Sequence, residues 1–321
     1  MRLSIVVPCF NEEATLPELH RRATHAAEGI VGQDFELVLV NDGSRDRTWQ
    51  VMQALVGEDP RIAAVNLSRN HGHQLALSAG LSIARGDRIL ILDADLQDPP
   101  ELLLGMMRLM DEGADVVFGQ RRHRDGETLF KRASATAFYR ILVWLSDVRI
   151  PVDTGDFRLM SRRAVDVLNS MPETHRFIRG MVGWLGFKQV PLEYDRQPRK
   201  AGTTNYPLRR MIRLAIDAVT SFSIRPLRIA SMLGILFALL GLAGVVFSVS
   251  GWFFGRTLPG WTSVMVVMLT LGGIQLTVLG IMGEYLGRLY IESKRRPLYV
   301  IDEIRTRDRA PNASRASANP S

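Results

Sequence analysis

The chain predicts an α/β catalytic domain on a mainly parallel sheet, followed by helices that engage a membrane. Three observations carry this reading. Short runs of Val, Ile and Leu alternate with helical stretches in the first part of the 321 residues. One such run, Ile89–Leu92, ends in the acidic sequence Asp93-Ala94-Asp95. Two long segments, Ile229–Phe254 and Trp261–Gly283, contain no charged side chain.

The elements follow in order. Leu3-Ser4-Ile5-Val6-Val7 reads as a first strand stopped by Pro8, and Asn11-Glu12-Glu13 leads into a helix running toward His25. Phe35–Val40 is a second strand; Asn41-Asp42-Gly43-Ser44 turns the chain into a helix from about Asp46. Ile62–Leu67 is a third strand, with a helix near Gln74–Ala84, and Ile89–Leu92 is the fourth. Strands separated by helices of this length form βαβ units, whose ligands bind at the carboxyl ends of the strands. The loops after Val7, Val40, Leu67 and Leu92 are therefore expected to share a crevice. Beyond them lie a short strand at Asp115–Gly119, an amphipathic helix at about Leu129–Leu145, a loop and strand at Asp153–Met160, and a polar loop at Glu193–Asn205.

The fourth strand carries the chemistry. Residues i and i+2 of an extended segment point to one side, so Asp93 and Asp95 can converge on a hard cation, Mg²⁺ or Mn²⁺. The cation's other positions would be filled by water or substrate phosphates. Pro99 and Pro100 then stop the strand and stiffen the turn. An isolated Asp-x-Asp is usually a solvated loop; its position at a strand end in an alternating chain favours a metal-diphosphate site.

Composition narrows the partners. Forty basic against 33 acidic residues give a net charge of +7, which suits an anionic partner. Arg209, Arg210, Arg213, Arg225 and Arg228 precede the first uncharged segment, and Arg288, Lys294, Arg295 and Arg296 follow the second. That distribution points to a membrane surface and away from nucleic acid. Each segment exceeds the roughly 20 residues needed to cross a bilayer. The connector Gly255–Gly260 carries only Arg256, so the positive-inside rule predicts a hairpin with both ends cytoplasmic. Trp252 and Trp261 suit the far interface, and Pro207–Phe222 reads as an amphipathic helix on the near one. The resulting division is 1–206 catalytic, 207–227 juxtamembrane, 228–288 transmembrane, and 289–321 a basic tail with a disordered end. Asn312-Ala313-Ser314 matches a glycosylation sequon that a cytoplasmic tail would not use. Gly234, Gly241, Gly244, Gly272, Gly273 and Gly280 permit close helix packing, within the hairpin or in a homo-oligomer. The single cysteine, Cys9, excludes an intrachain disulfide and reads as a small buried side chain. Leu3–Val7 is too short for a signal peptide.

Pro8-Cys9-Phe10-Asn11-Glu12-Glu13, Val40-Asn41-Asp42-Gly43-Ser44, Asn66-Leu67-Ser68-Arg69-Asn70, Asp93-Ala94-Asp95-Leu96-Gln97-Asp98-Pro99-Pro100-Glu101 and Thr154-Gly155-Asp156-Phe157-Arg158-Leu159-Met160 occur in that order. Together with the terminal apolar pair, this series resembles the family 2 glycosyltransferases. More narrowly it resembles the polyprenyl-phosphate group, which includes dolichyl-phosphate mannose synthases and bactoprenyl-phosphate glucosyltransferases. The resemblance implies a GT-A, Rossmann-like fold, a nucleotide-sugar donor, a divalent cation and inversion at the anomeric carbon. It implies that Pro8, Phe10, Asn11, Glu12 and Asp42 line the nucleoside pocket, with Ser68, Arg69 and Ala94 beside it. Asp93, Asp95 and Gln97 would handle metal and diphosphate, Asp156 matches the position of a catalytic base, and Arg199 matches a phosphate-holding loop arginine. Asn205 departs from the lysine of many relatives, leaving Arg199 or Lys200 to supply that contact. The implied setting is a bacterial inner membrane, with UDP-glucose as donor and undecaprenyl phosphate as acceptor. GDP-mannose is the alternative donor.

The acceptor chemistry bears on Asp156. A phosphate monoester's second pKa is about 6, so its oxygen is already a nucleophile at neutral pH. Asp156 is therefore expected to orient the site, with a structural pairing to Arg158 as the plain alternative and Asp153 as a fallback base. Arg121, Arg122 and Arg124, followed by Phe130, Phe138, Tyr139 and Trp144, form either a basic acceptor entrance or a solvated charge run beside a core helix. His71-Gly72-His73 lacks further nearby ligands for a metal. A processive synthase would need more membrane helices and a Gln-x-x-Arg-Trp motif. A membrane scaffold with a degenerate transferase domain would fail to bind nucleotide sugars.

Overall fold

The computed structural model describes residues 1–122, 154–195, 225–253 and 260–307. These fall into two compact units, one formed by 1–122, 154–195 and 297–307, the other by 225–253 and 260–296. The expected helices at 129–145 and 207–222, and the polar end beyond Ala310, lie outside the described residues.

The first unit is an α/β fold. Its strands are β1 (Leu3–Cys9), β2 (Phe35–Asn41), β3 (Ile62–Leu67), β4 (Arg88–Ile91), β5 (Val116–Arg121), β6 (Thr154–Ser161), β7 (Gln189–Tyr194) and β8 (Ile301–Arg305). They make a sheet in the order β7-β5-β6-β4-β1-β2-β3-β8. The pairs β1–β2, β1–β4, β2–β3 and β5–β7 are parallel, whereas β4–β6, β5–β6 and β3–β8 are antiparallel. Helices α1 (Leu16–Val31), α2 (Thr48–Glu58), α3 (His73–Ile83) and α4 (Leu103–Asp111) join the early strands. The short helices α5 (Arg162–Ser170) and α6 (Ile178–Trp184) stand between β6 and β7. Strands β1 and β2 are buried along their whole length, as continuous apolar runs require in a sheet covered on both faces.

Strands β1 to β6 and the first three helices lie close to where the sequence predicts them, whereas β7 and β8 are not predicted. Strand β6 runs antiparallel between β4 and β5, and β7 runs two residues into the polar loop expected from Glu193. The expected tail contributes β8, which pairs with the edge strand β3.

The second unit holds two long helices, α7 (Arg225–Phe253) and α8 (Trp261–Ser293). Among the described residues one candidate membrane span stands out, Leu227–Gly244 in α7, with a mean hydropathy of 2.0 and only 6% of it buried. Met232, Ile235, Leu239, Leu240 and Leu242 are exposed along it, apolar surface that water would disfavour. Among the described residues no second candidate stands out, so the expected two-span hairpin is not established by the fold.

Candidate active site

Strands β2 and β3 lie to one side of β1 and β4 to the other, which makes the β1/β4 boundary the point where strand order reverses. Ligands of open α/β sheets bind at the carboxyl end of such a point. The loops after β1, β2, β3 and β4 gather there.

The first two loops are tied by hydrogen bonds. The Asn11 N–H donates to Ser44 Oγ (3.0 Å), the Arg45 N–H to Asn11 Oδ1 (2.8 Å), and the Glu12 N–H to Thr48 Oγ1 (2.8 Å). Asn11 has a φ of 57°, a left-handed conformation that asparagine tolerates better than most residues. Phe10 on this loop is 43% exposed. Asp42 is buried, and its carboxylate accepts the N–H groups of His71 (2.7 Å) and Gly72 (3.0 Å), pulling the β3–α3 loop against the β2 loop. Burial raises the Asp42 pKa despite these two donors. Gly43, at φ 63°, lies so close to this loop that a Cβ there would fall 2.4 Å from the Asn70 nitrogen. Ser68 and Arg69 are exposed on the same loop.

Strand β4 ends at Ile91, one residue before the expected limit, and the acidic segment follows as a turn. Alternation nevertheless persists: Asp93, Asp95 and Gln97 are half-buried, while Ala94, Leu96 and Asp98 are buried. Asp95 Oδ1 accepts the Gln97 N–H (3.1 Å), and Leu96 takes a φ of 59°, a strained conformation for a bulky residue.

Asp156 arrives from β6. The β4–β6 register pairs Arg88 with Ser161 and Ile91 with Arg158. Continued by two residues, it sets Asp156 opposite Asp93, where antiparallel neighbours share a face. His73, the first residue of α3, bridges them, with Nε2 3.2 Å from Asp156 Oδ2 and 3.5 Å from Asp93 Oδ1. Arg179 of α6 donates to both Asp156 oxygens, at 2.8 and 3.2 Å. Gln74 donates to Asp156 (3.1 Å) and accepts the Ile178 N–H (3.0 Å), tying α3, β6 and α6 together. The expected alternative partner, Arg158, donates instead to the backbone carbonyls of Asp156 and Gly155.

The electrostatics differ on the two sides. Burial opposes ionisation of Asp156, but His73, Arg179 and Arg158 hold it well below the usual carboxylate range. Burial pushes Asp93 up to about 6, reinforced by Asp156, Asp98 and Asp95 and opposed by His73. Burial works against protonated His73, yet Asp156 and Asp93 outweigh it and raise the imidazole's pKa.

The residues fit a divalent cation. Asp93 Oδ1 is buried without a hydrogen-bond partner, and Asp93 and Asp95 are hard oxygen donors. Among the described residues no three His, Cys, Asp or Glu side chains group to enclose a metal. A cation held here would take further ligands from a bound diphosphate.

Arg121 and Arg122 do not act together. The Arg121 guanidinium lies 3.1 Å from where a Gly155 Cβ would be, and its charge bears on Tyr194, whose hydroxyl donates to Asp98. Burial and Asp98 push the Tyr194 hydroxyl up to about 12. Arg122 is exposed, 3.3 Å from Glu193. Arg124, Asp153, Arg199, Lys200 and Asn205 lie outside the described residues. The sequence reading passes over Gln74, His73 as a bridge, and Arg179. Their one signal was the apolar spacing that puts His73 and Gln74 at a helix start; nothing local marked Arg179.

Comparisons with known proteins identify the family. A family model described as glycosyl transferase family 2 matches residues 4–168. The chain is 44% identical over 304 residues to uncharacterized glycosyltransferase YkcC of Bacillus subtilis (strain 168), covering 94% of each. It is 38% identical over 311 residues to the prophage bactoprenol glucosyl transferase homolog of Escherichia coli (strain K12), covering 95% of this chain and 100% of the relative. The bactoprenol glucosyl transferase of Shigella phage SfV is 38% identical over 302 residues, with 94% and 98% covered. With such identity along nearly its whole length, and a GT-A-like α/β fold around the acidic pair, the chain belongs to glycosyl transferase family 2 and is a glycosyltransferase.

Proposed function

We propose that the protein transfers a hexose, glucose from UDP-glucose, to a polyprenyl phosphate at the cytoplasmic face of a bacterial inner membrane, with inversion at the anomeric carbon. The observation that carries this reading is the juxtaposition of Asp93 and Asp95 with an Asp156 already held by cations. That site suits a phosphate nucleophile, which needs orientation more than deprotonation. The names of the bactoprenol glucosyl transferases support the acceptor and the sugar.

In this reading the Pro8–Glu12 loop and Asp42 shape the nucleoside pocket, and exposed Phe10 offers a face to the base. Asp93 and Asp95, with Gln97 beside them, would hold Mg²⁺ or Mn²⁺, which when bound would supply Lewis-acid neutralisation of the departing charge. Asp156 fixes His73 and Arg179 in the crevice, where their positive charge favours incoming phosphate oxygens. Arg121 and Tyr194 stiffen the wall behind Gly155, and Arg122, Arg124, Arg199 and Lys200 remain candidate phosphate contacts. Leu227–Gly244 supports membrane attachment, and the uncharged stretch Trp261–Gly283 of α8 supports pairing of both helices as a hairpin with cytoplasmic termini. The small residues on them suit a homo-oligomer.

Purified protein, radiolabelled UDP-glucose, polyprenyl phosphate and Mg²⁺ or Mn²⁺ should yield a solvent-extractable labelled lipid. Excess unlabelled UDP-glucose should suppress it, and GDP-mannose should not. No lipid product with either donor would refute the proposal. Asp156→Asn should lower the rate while leaving the shape of the pH profile intact; loss of an acidic limb would instead identify Asp156 as a titrating base.

A further inference from the structure

We propose that Asp302, on the strand that follows the two long helices, is a positioning residue for the nucleotide-binding loops. The inference rests on reading the β1 and β2 loops as the donor pocket.

Strand β8 pairs Glu303 with Asn66 and Ile301 with Leu67, so Asp302 is the extra residue at an irregularity in the ladder. Bulges of this kind re-aim a side chain. Asp302 Oδ2 accepts from Asn66 Nδ2 (3.1 Å), and Asn66 Oδ1 accepts from Asn41 Nδ2 (2.7 Å). Asn41 Oδ1 in turn accepts the Ser44 N–H (3.2 Å), and Ser44 Oγ accepts the Asn11 N–H (3.0 Å). Four hydrogen bonds thus run from β8 across β3 and β2 into the two loops.

The direction of this relay depends on its end. An ionised carboxylate only accepts, so Asp302 forces the Asn66 amide to turn its NH₂ outward and its oxygen toward Asn41. That orientation makes Asn41 donate to Asn66 and leaves the Asn41 oxygen for the Ser44 N–H. Without the carboxylate, the Asn66 amide can rotate and set NH₂ against NH₂. Attachment of β8 itself does not use this side chain. The Ser68 N–H donates to the Val300 carbonyl (3.0 Å), and the Tyr299 hydroxyl donates to Ser82 (2.9 Å). Asp302 therefore tunes the loops, and the backbone ladder holds the strand.

The test is calorimetric titration of UDP into the full-length protein in detergent with Mg²⁺ or Mn²⁺, repeated with GDP. Asp302→Ala should weaken nucleotide binding roughly three- to tenfold, the scale of one ordinary hydrogen bond. It should raise the donor KM with little change in kcat and leave the unfolding temperature close to wild type. Asp302→Asn, which retains an acceptor oxygen, should recover most of the affinity. Glu303→Ala, on the same strand outside the relay, should bind as wild type. Asn66→Ala should weaken binding similarly, and the double variant should lose no more than Asn66→Ala alone. Wild-type affinity in Asp302→Ala, or equal losses in Asp302→Ala and Glu303→Ala, would overturn the proposal while leaving the donor pocket intact. A wild-type protein that binds neither nucleotide would remove the donor pocket and the inference together.

Discussion

At the scale of single residues, the site turns on who holds Asp156. Its carboxylate is buried and engaged by Arg179, His73 and Gln74, so each partner fixes a different direction of one group. Arg179 is also partly exposed, at 35%, and can present charge to the crevice. Arg179→Ala should lower turnover by roughly ten- to a hundredfold, because misplacing a reacting group by about 1 Å can cost that much. Arg179→Lys should recover only part of it, since a point charge cannot reproduce the two-pronged contact. Steady-state kinetics at saturating donor would decide; wild-type turnover in the alanine variant would remove Arg179 from the site. Gly43 is the second sensitive position. Gly43→Ala would combine a left-handed backbone with a Cβ 2.4 Å from the Asn70 nitrogen. It should cost more than about 1 kcal/mol of stability and weaken UDP binding by shifting the Arg69–Asn70 backbone. An unchanged unfolding midpoint would count against this account.

At the scale of elements, what could be read from the chain depended on how local the signal was. Strands β1 to β4 announce themselves as apolar runs, and the alternation of Asp93, Asp95 and Gln97 survives although the strand ends before them. Asp156 was legible through its motif, but its neighbours were not. His73, Gln74 and Arg179 meet it only because β6 is inserted antiparallel between β4 and β5, a pairing no local period encodes. Strand β7 carries Pro191 and two polar residues, and β8 has only two apolar residues in five, so neither stands out as a strand. Yet β7 is anchored chemically: the Tyr194 hydroxyl donates to buried Asp98, and its ring meets Phe157 edge-on at 5.9 Å. Tyr194→Phe keeps the ring contact and removes the donor beside a buried carboxylate. The expected cost is about 1–3 kcal/mol, read as a lower denaturant midpoint with an unchanged slope. A neutral result would mean that the Tyr194 hydroxyl does not anchor β7.

At the scale of the whole molecule, a net charge of +7 means that acid conditions add repulsion to a surface already short of carboxylates. Two carboxylates remote from the crevice connect this to folding. Burial opposes ionisation of Asp59, but Arg61, held in a two-pronged contact, and His20 bring it far below its ordinary range. Asp115 is lowered by Arg163, against burial, and by Ser161. A carboxylate whose folded pKa is depressed contributes stability that is fully present above its unfolded value, near 4. That contribution is lost as the pH falls toward the folded value. Thermal unfolding of the full-length protein should therefore be nearly flat with respect to these two groups from pH 7 to 5, then fall steeply below about pH 4. Asp59→Asn keeps the shape of the side chain and removes the charge. It should cost roughly 1–3 kcal/mol at neutral pH and make the acid fall shallower, because the variant has one fewer proton to take up on unfolding. If Asp59→Asn lowered stability equally at pH 7 and pH 3, the loss would be one of packing, and the ion pair with Arg61 would carry none of the molecule's acid sensitivity.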